Sequence, residues 1–267
     1  MCGSPSCHDA LPLTRGHRRL THFAVRGNPG PVTDWSLTIR GGTSKLPGMC
    51  GKFTQMMRWG DLVTLADLIG APEGPAETVT PMRFATVIRL KPESKRKTAR
   101  MRWGLVPPSA KDPNRALFIH ARAESLDERP TFREAFLRRR GLVVVKTFNE
   151  GKEIAPNKTQ QHTITQDNGR PVAIAVIWER WGEKHGAALE TFAMVTVPAN
   201  ALIGTITDRM PAVIPYGQWG TWLGETHASA DELKALLVPF EGDWTMQAEK
   251  PVKPMKPGDP QSQLRLL

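Results

Sequence analysis

Apolar positions in this chain fall in short runs, and most of those runs read as strands. Phe84-Ala85-Thr86-Val87-Ile88-Arg89-Leu90 is rich in β-branched and aromatic residues and predicts one strand. The charged stretch Lys91–Arg100 then predicts a solvated hairpin tip, and Thr98–Leu105 a second strand that Pro107 and Pro108 break. Leu142-Val143-Val144-Val145 predicts a buried strand leading into Phe148-Asn149-Glu150-Gly151. His162–Thr165 and Val172–Trp178 predict two more, with Asp167-Asn168-Gly169 as a hairpin turn between them, and Phe192–Val197 a further one.

Helical spacing is rarer. Leu62, Leu65, Ala66 and Ile69 recur at helix period, and Gly70 stops the run. Residues 71–82 read as a Pro/Gly/Glu loop. Pro130 to Arg140 predicts a helix with Thr131 as N-cap and Glu134 three residues on, a capping-box pattern. Arg138-Arg139-Arg140 closes it where cations suit the helix dipole, and Gly141 ends it. Trp219 and Trp222 sit on a short helix with a packing role, as do Trp178 and Trp181 elsewhere, and Asp231–Leu237 forms another helix. Many short strands with few helices predict an α+β fold, a single domain around a curved, mainly antiparallel sheet or barrel.

The ends of the chain look different from its middle. Residues 1–48 carry Pro, Gly, Arg and His with almost no periodic apolar pattern. They read as a disordered extension, or as sequence ahead of the true start, with a nucleic-acid-binding arm as the functional alternative. The expected division is 1–48 extension, 49–245 folded domain, and 246–267 a flexible tail rich in Pro, Lys and Gln.

Composition adds a partner. Among 267 residues the formal net charge is +10, which favours a polyanion, nucleic acid before membrane, since no stretch approaches the ~18–20 apolar residues of a span. The three cysteines, Cys2, Cys7 and Cys50, supply no disulfide framework, which fits a reducing cytoplasm. Cys2, Cys7 and His8 lack a second ligand pair, so no metal and no cofactor is expected.

Cys50 carries the candidate chemistry. It follows Met49, and methionine before a small residue is where an initiator methionine is usually removed. A chain starting at Cys50 would hold a free amine and a thiol on neighbouring carbons, groups that ordinarily titrate at roughly pH 7.7–8 and 8.5. Such a 1,2-aminothiol condenses with an aldehyde to an imine, and the thiolate then closes a thiazolidine ring. Met1-Cys2-Gly3 repeats the Met-Cys-Gly tripeptide, but Ser4-Pro5-Ser6 follows it with no regular pattern, so the nucleophile is placed at Cys50.

Six motifs in order carry a resemblance: Met49-Cys50-Gly51-Lys52-Phe53, Arg102-Trp103-Gly104-Leu105-Val106-Pro107, Ala121-Arg122-Ala123-Glu124, Phe132-Arg133, Phe148-Asn149-Glu150 and Asp208-Arg209-Met210-Pro211. Together, from about Met49 to Phe240, they resemble the SOS response-associated peptidase family, whose members crosslink to abasic sites in single-stranded DNA. The resemblance implies an α+β fold with a DNA-binding groove and a thiazolidine crosslink made by the terminal cysteine. It also implies autopeptidase activity that exposes this cysteine. Cys50 matches the nucleophile. Glu150 matches an active-site glutamate that orients the amine and moves protons. Arg122 and Arg209 match residues facing the DNA backbone, and Trp103 a groove aromatic. Lys52 stands where an arginine is usual, keeping charge but losing the bidentate fork.

Two positions depart from the family pattern. His120 stands where Asn is usual, and Thr207 where a histidine serves sugar-ring opening and crosslink reversal. The paired change suggests that the imidazole has moved, with His120 taking the acid/base role that a threonine hydroxyl cannot. The expected protein is a cytoplasmic, nucleoid-associated monomer that captures abasic single-stranded DNA, with strand-lyase chemistry as a side route. Two alternatives stay open: a non-covalent single-stranded nucleic-acid binder with a degenerate site, and a conventional cysteine peptidase.

Overall fold

Continuous apolar runs demand burial on both faces, and this chain meets that demand by closing a barrel. In the computed structural model the described residues are 51–55, 77–90, 95–114, 118–182 and 188–250. The strands among them are β1 (Lys52–Gln55), β2 (Glu77–Val79), β3 (Phe84–Leu90), β4 (Arg96–Trp103), β5 (His120–Arg122), β6 (Arg140–Val145), β7 (Thr147–Ala155), β8 (Lys158–Gln166), β9 (Val172–Trp181), β10 (Leu189–Pro198), β11 (Arg209–Pro211) and β12 (Trp244–Ala248). The helices are α1 (Pro130–Arg138), α2 (Trp219–Leu223) and α3 (Ala230–Ala235). The expectations for residues 1–48, Met49, Cys50, the 62–69 helix and the C-terminal tail from 251 fall outside the described residues.

One sheet runs β11-β10-β4-β3-β6-β9, and a further β9–β10 pairing closes β10, β4, β3, β6 and β9 into a ring. Its strands pair antiparallel except that β4 and the short β5 each run parallel to β10. Closure covers both strand edges, so β6 and β9 can be apolar along nearly their whole length. The second sheet has the order β12-β8-β7-β1-β2 and is antiparallel throughout. The fold is thus the expected α+β arrangement of curved, mainly antiparallel sheets.

The two sheets share a core at one end of the barrel. Phe53 of β1 packs on Trp103 of β4 with ring centroids 5.0 Å apart, and Trp103 lies parallel to Phe192 of β10 at 6.3 Å. A second link is polar. The buried Gln55 side chain donates from Nε2 to the Thr86 carbonyl at 2.9 Å and accepts from the Thr86 N–H at 2.8 Å. The amide thereby acts as one residue of a neighbouring strand for β3, whose pairing with β6 is confined to Ile88 and Leu142.

Several local expectations are corrected. Helix α1 starts two residues earlier than a Thr131 cap would set it, with Arg129 as its N-cap and no side-chain capping bond. Pro130 suits the first helical position, where its missing N–H costs nothing, so Thr131 falls inside the helix. Glu134 pairs with Arg138 instead of closing a capping box. Arg140 lies in β6, yet its guanidinium donates back to the carbonyls of Phe136 and Leu137, terminating the helix through hydrogen bonds. Gly141 is a strand residue. A Cβ there would come within 2.7 Å of Val87 Cγ1 and 3.0 Å of the Ile88 carbonyl oxygen, so close strand approach requires glycine. Asp167-Asn168-Gly169 turns the chain, but β8 and β9 belong to different sheets, so no hairpin forms. Arg96 to Arg100 belong to β4 rather than to a hairpin tip. The 71–82 loop contains β2, and the strand β12 crosses the boundary expected at 245, pairing with β8 from Trp244 to Ala248.

Replacing Gln55 with Leu keeps the bulk and leaves the Thr86 N–H and C=O buried without partners. At roughly 1–3 kcal/mol per orphaned group, the expected loss is about 2–4 kcal/mol in urea unfolding, with little change in the slope. A loss under ~0.5 kcal/mol would show that the clamp is not needed.

Candidate functional site

The site begins with the register of β1 on β7. Lys52 pairs with Asn149 and Phe53 with Phe148, while β7 in turn pairs Phe148 with Ile164, Asn149 with Thr163 and Glu150 with His162. Strand alternation therefore sorts the side chains onto two faces. Phe53, Phe148 and Ile164 are all fully buried and mark the core face. Glu150, two residues beyond Phe148, shares that face and is only 1% exposed, with His162 directly across from it. A carboxylate held there is shielded from bulk water, the setting in which an acid/base group works best.

The opposite face carries a polar network that sequence reasoning did not find. Glu249, just past β12, accepts from Lys52 Nζ at 2.8 and 3.0 Å. The same carboxylate accepts from Asn149 Nδ2 at 2.7 Å and Thr163 Oγ1 at 2.9 Å. It thereby ties together the ends of β1, β7 and β8. The hydrogen bond from Lys52 is the main reason the Glu249 carboxyl sits below the usual glutamate range, helped by those from Thr163 and Asn149. Lys52 is therefore already neutralised, and a phosphate would have to compete for its ammonium. Asn149 lay within a quoted motif and could have been flagged, but Glu249 gave no signal inside a Pro/Lys-rich stretch.

The other predicted residues gather around the C-terminal half of β10. β5 pairs alongside it in parallel, placing His120 beside Met194 and Arg122 beside Thr196. On its other edge β11 pairs Arg209 with Pro198. The ring of half-buried His120 meets the edge of Trp103 with centroids 6.0 Å apart. Trp103 thus touches both Phe53 of β1 and His120 of β5, and joins the two halves of the site. Trp103 itself is fully buried, and its Nε1 donates to the Ile119 carbonyl at 2.8 Å. Its expected role as a base-stacking groove aromatic is corrected: no ring face is open, and the indole is a core wall.

Arg209 is also more enclosed than expected. Its guanidinium makes a two-pronged pair with Glu124 at 2.6 and 2.9 Å and donates to the Thr196 carbonyl at 2.6 Å. The hydrogen bond from Arg209 is the chief cause holding the Glu124 carboxyl below its usual range. Glu124 therefore partners Arg209 rather than Arg122. Arg122 is exposed, and its side chain has no ion-pair partner among the described residues. Thr207 is buried after the 3-10 turn Ile203–Thr205, with its N–H donating to the Ile203 carbonyl at 3.1 Å. Cys50 lies outside the described residues. Among those residues no group of three His, Cys, Asp or Glu side chains could hold a metal ion, and no helix is long and apolar enough to cross a membrane.

The sequence profile of the SOS response associated peptidase (SRAP) family matches residues 49–253. This chain belongs to that family. The SRAP relatives include the abasic site processing protein YoqW of Bacillus subtilis, 31% identical over 200 residues that span 73% of this chain and 89% of YoqW. The abasic site processing protein HMCES of Mus musculus is 24% identical over 172 residues, 53% of this chain and 49% of that protein. The SRAP chain also superimposes on a crystal structure from Bordetella bronchiseptica with TM-score 0.65 and 23% identity, covering 76% of this chain and all of that one. A phage-related protein from the same organism gives a TM-score of 0.60 at 20% identity, covering 76% of this chain and 95% of that one. These likenesses establish the fold.

The Glu249 network predicts a pH dependence with a definite sign. A carboxyl with a depressed folded-state pKa stabilises fully above its unfolded value, about 4.3, and loses that contribution as pH falls through the lower folded value. Glu249→Gln should therefore flatten the acid limb of the stability curve below about pH 4.3, while costing stability at pH 7. Midpoints of urea unfolding between pH 3 and 7 read this out; parallel curves for the two proteins would remove Glu249 as a titrating support.

Proposed function

We propose that this protein captures abasic sites in single-stranded DNA by forming a thiazolidine through Cys50, once Met49 and whatever precedes it have been removed. The observation that carries the reading is the β1–β7 register. Continuing the pairing of Lys52 with Asn149 by one step sets Glu150 across from Gly51, the residue joined to Cys50. The chain leading to the aminothiol thus arrives beside the buried carboxylate.

The amine of Cys50 adds to the ring-opened sugar aldehyde and expels one water, giving an imine. The thiolate adds to the imine carbon, and the nitrogen takes up the proton the thiol lost. Glu150 serves as the proton acceptor and donor for these steps, a contribution on the order of 10²–10⁴-fold. Ring closure consumes the imine, which would otherwise promote strand cleavage by β-elimination. Arg122 is the exposed cation for a DNA phosphate. Arg209 joins it only by exchanging Glu124 for phosphate, and Lys52 by giving up Glu249. His120 takes the acid/base role for which Thr207 has no titrating group. Self-processing to expose Cys50, action as a monomer, and a place beside DNA in a reducing cytoplasm belong to the same reading.

Thr207 favours a second reading, a non-covalent binder of single-stranded nucleic acid. A denaturing gel separates the two. Protein beginning at Cys50, mixed with single-stranded DNA holding an abasic site, should give a band that survives denaturation and is lost in Cys50→Ser. Glu150→Gln should slow its appearance by at least ~10²-fold. His120→Ala should slow formation or reversal more than Thr207→Ala does. Retarded mobility under native conditions only, with nothing surviving denaturation, would favour the second reading.

A further inference from the structure

The barrel has a second charged feature, where the ends of β3 and β9 meet the start of β6. A cavity of about 700 Å³ is lined by the basic side chains Arg89, Lys97, Arg138, Arg139, Arg140 and Arg180. Among the described residues, Glu190 is the one carboxylate on its wall. Its position follows from the strands. On β4 the cavity takes Lys97, six residues from Trp103. On β10 it takes Glu190, four residues from the Met194 that pairs with His120, about 13 Å along the strand. Trp178 on its wall pairs with Phe192, which in turn pairs with Trp103, so the cavity adjoins the strands of the candidate site.

Arg138 meets Glu134 at 2.9 Å, Arg139 meets Glu179 at 2.6 Å, and Glu190 is shared between Arg89 at 3.0 Å and Arg180 at 3.5 Å. In these pairs Arg89 and Arg180 share a single carboxylate. Arg140 is held by the backbone carbonyls of Phe136, Leu137 and Trp222, which leave its charge in place. The Nε atoms of Arg89 and Arg139 are buried without a hydrogen-bond acceptor among the described residues. Unmet guanidinium donors cost stability unless something accepts from them. The Arg89 guanidinium also lies over the Trp178 ring, 4.4 Å from its centroid, which fixes its plane. Fixed planar forks suit phosphate oxygens better than mobile ammonium groups do.

We propose that this cavity is a second phosphate-binding site, occupied by the backbone of nucleic acid outside the lesion. A volume of that order suits one or two nucleotide units. The proposal does not depend on the chemistry at Cys50, because undamaged nucleic acid would bind there equally.

The test uses the full chain and a labelled, undamaged single-stranded oligonucleotide, read by fluorescence anisotropy over a range of salt concentrations. Arg138→Glu and Arg180→Glu should each weaken binding by roughly tenfold at ~0.1 M salt and lower the salt slope by about one. Arg133→Glu, on the exposed surface of α1, makes the same charge change outside the cavity and should have much less effect. Equal losses in all three variants would reduce the effect to net charge and overturn the proposal, as would no loss in any. Displacement of the oligonucleotide by a free nucleoside monophosphate below ~1 mM would assign the cavity to a small phosphorylated ligand, and the proposal would fail. Loss of crosslinking with cavity binding intact would count against the Cys50 chemistry alone.

Discussion

Strand β1 is four residues long, and nearly every constraint on the candidate site passes through it. It is hydrogen-bonded on both sides, to β2 and to β7, so it is an interior strand despite its length. Phe53 anchors it in the shared core against Trp103, and Gln55 locks its far end to the backbone of β3. Lys52 ties its near end, through Glu249, to β7 and β8. The proposed aminothiol would need a fixed distance from its acid/base partner, and a strand pinned on every side supplies that fixity.

The same construction explains why two of the site's cations, Arg209 and Lys52, are not simply open to solvent. A guanidinium or ammonium near a buried carboxylate would bias that group's ionisation and attract stray anions. Here Arg209 is held by Glu124 and Lys52 by Glu249. The Lys52–Glu249 pair is partly exposed, where an ion pair contributes only ~0–1 kcal/mol, whereas the Arg209 guanidinium is buried. Around the ends of β3 and β9, six basic side chains share one cavity.

Much of this was legible in the chain itself. The strand Phe84–Leu90 occurs with the predicted bounds, and the apolar runs at Leu142 and Phe192 appear as β6 and β10. Trp219 and Trp222 sit on α2, with indole N–H groups bonded to the carbonyls of Ile214 and Gly141. Motif order carried the family. Misreadings came where a local signal had two meanings. Gly141 looked like a helix stop because glycine ends helices, but it is needed where three strands crowd together. Asp167-Asn168-Gly169 looked like a hairpin turn because turn residues do not say which sheet the next strand enters.

Sequence alone determined the residue types: a cysteine directly after a methionine, a glutamate after an apolar strand, and a threonine just before Asp208-Arg209-Met210-Pro211. These are properties of single positions and their immediate neighbours, and side-chain chemistry is fixed before folding. Tertiary structure decided which groups are open and which are spoken for. Trp103 became a wall instead of a platform, Arg209 found Glu124, and Glu249 crossed from the far end of the chain to Lys52. Those outcomes depend on contacts between strands far apart in the chain, and no local pattern encodes which strands will meet.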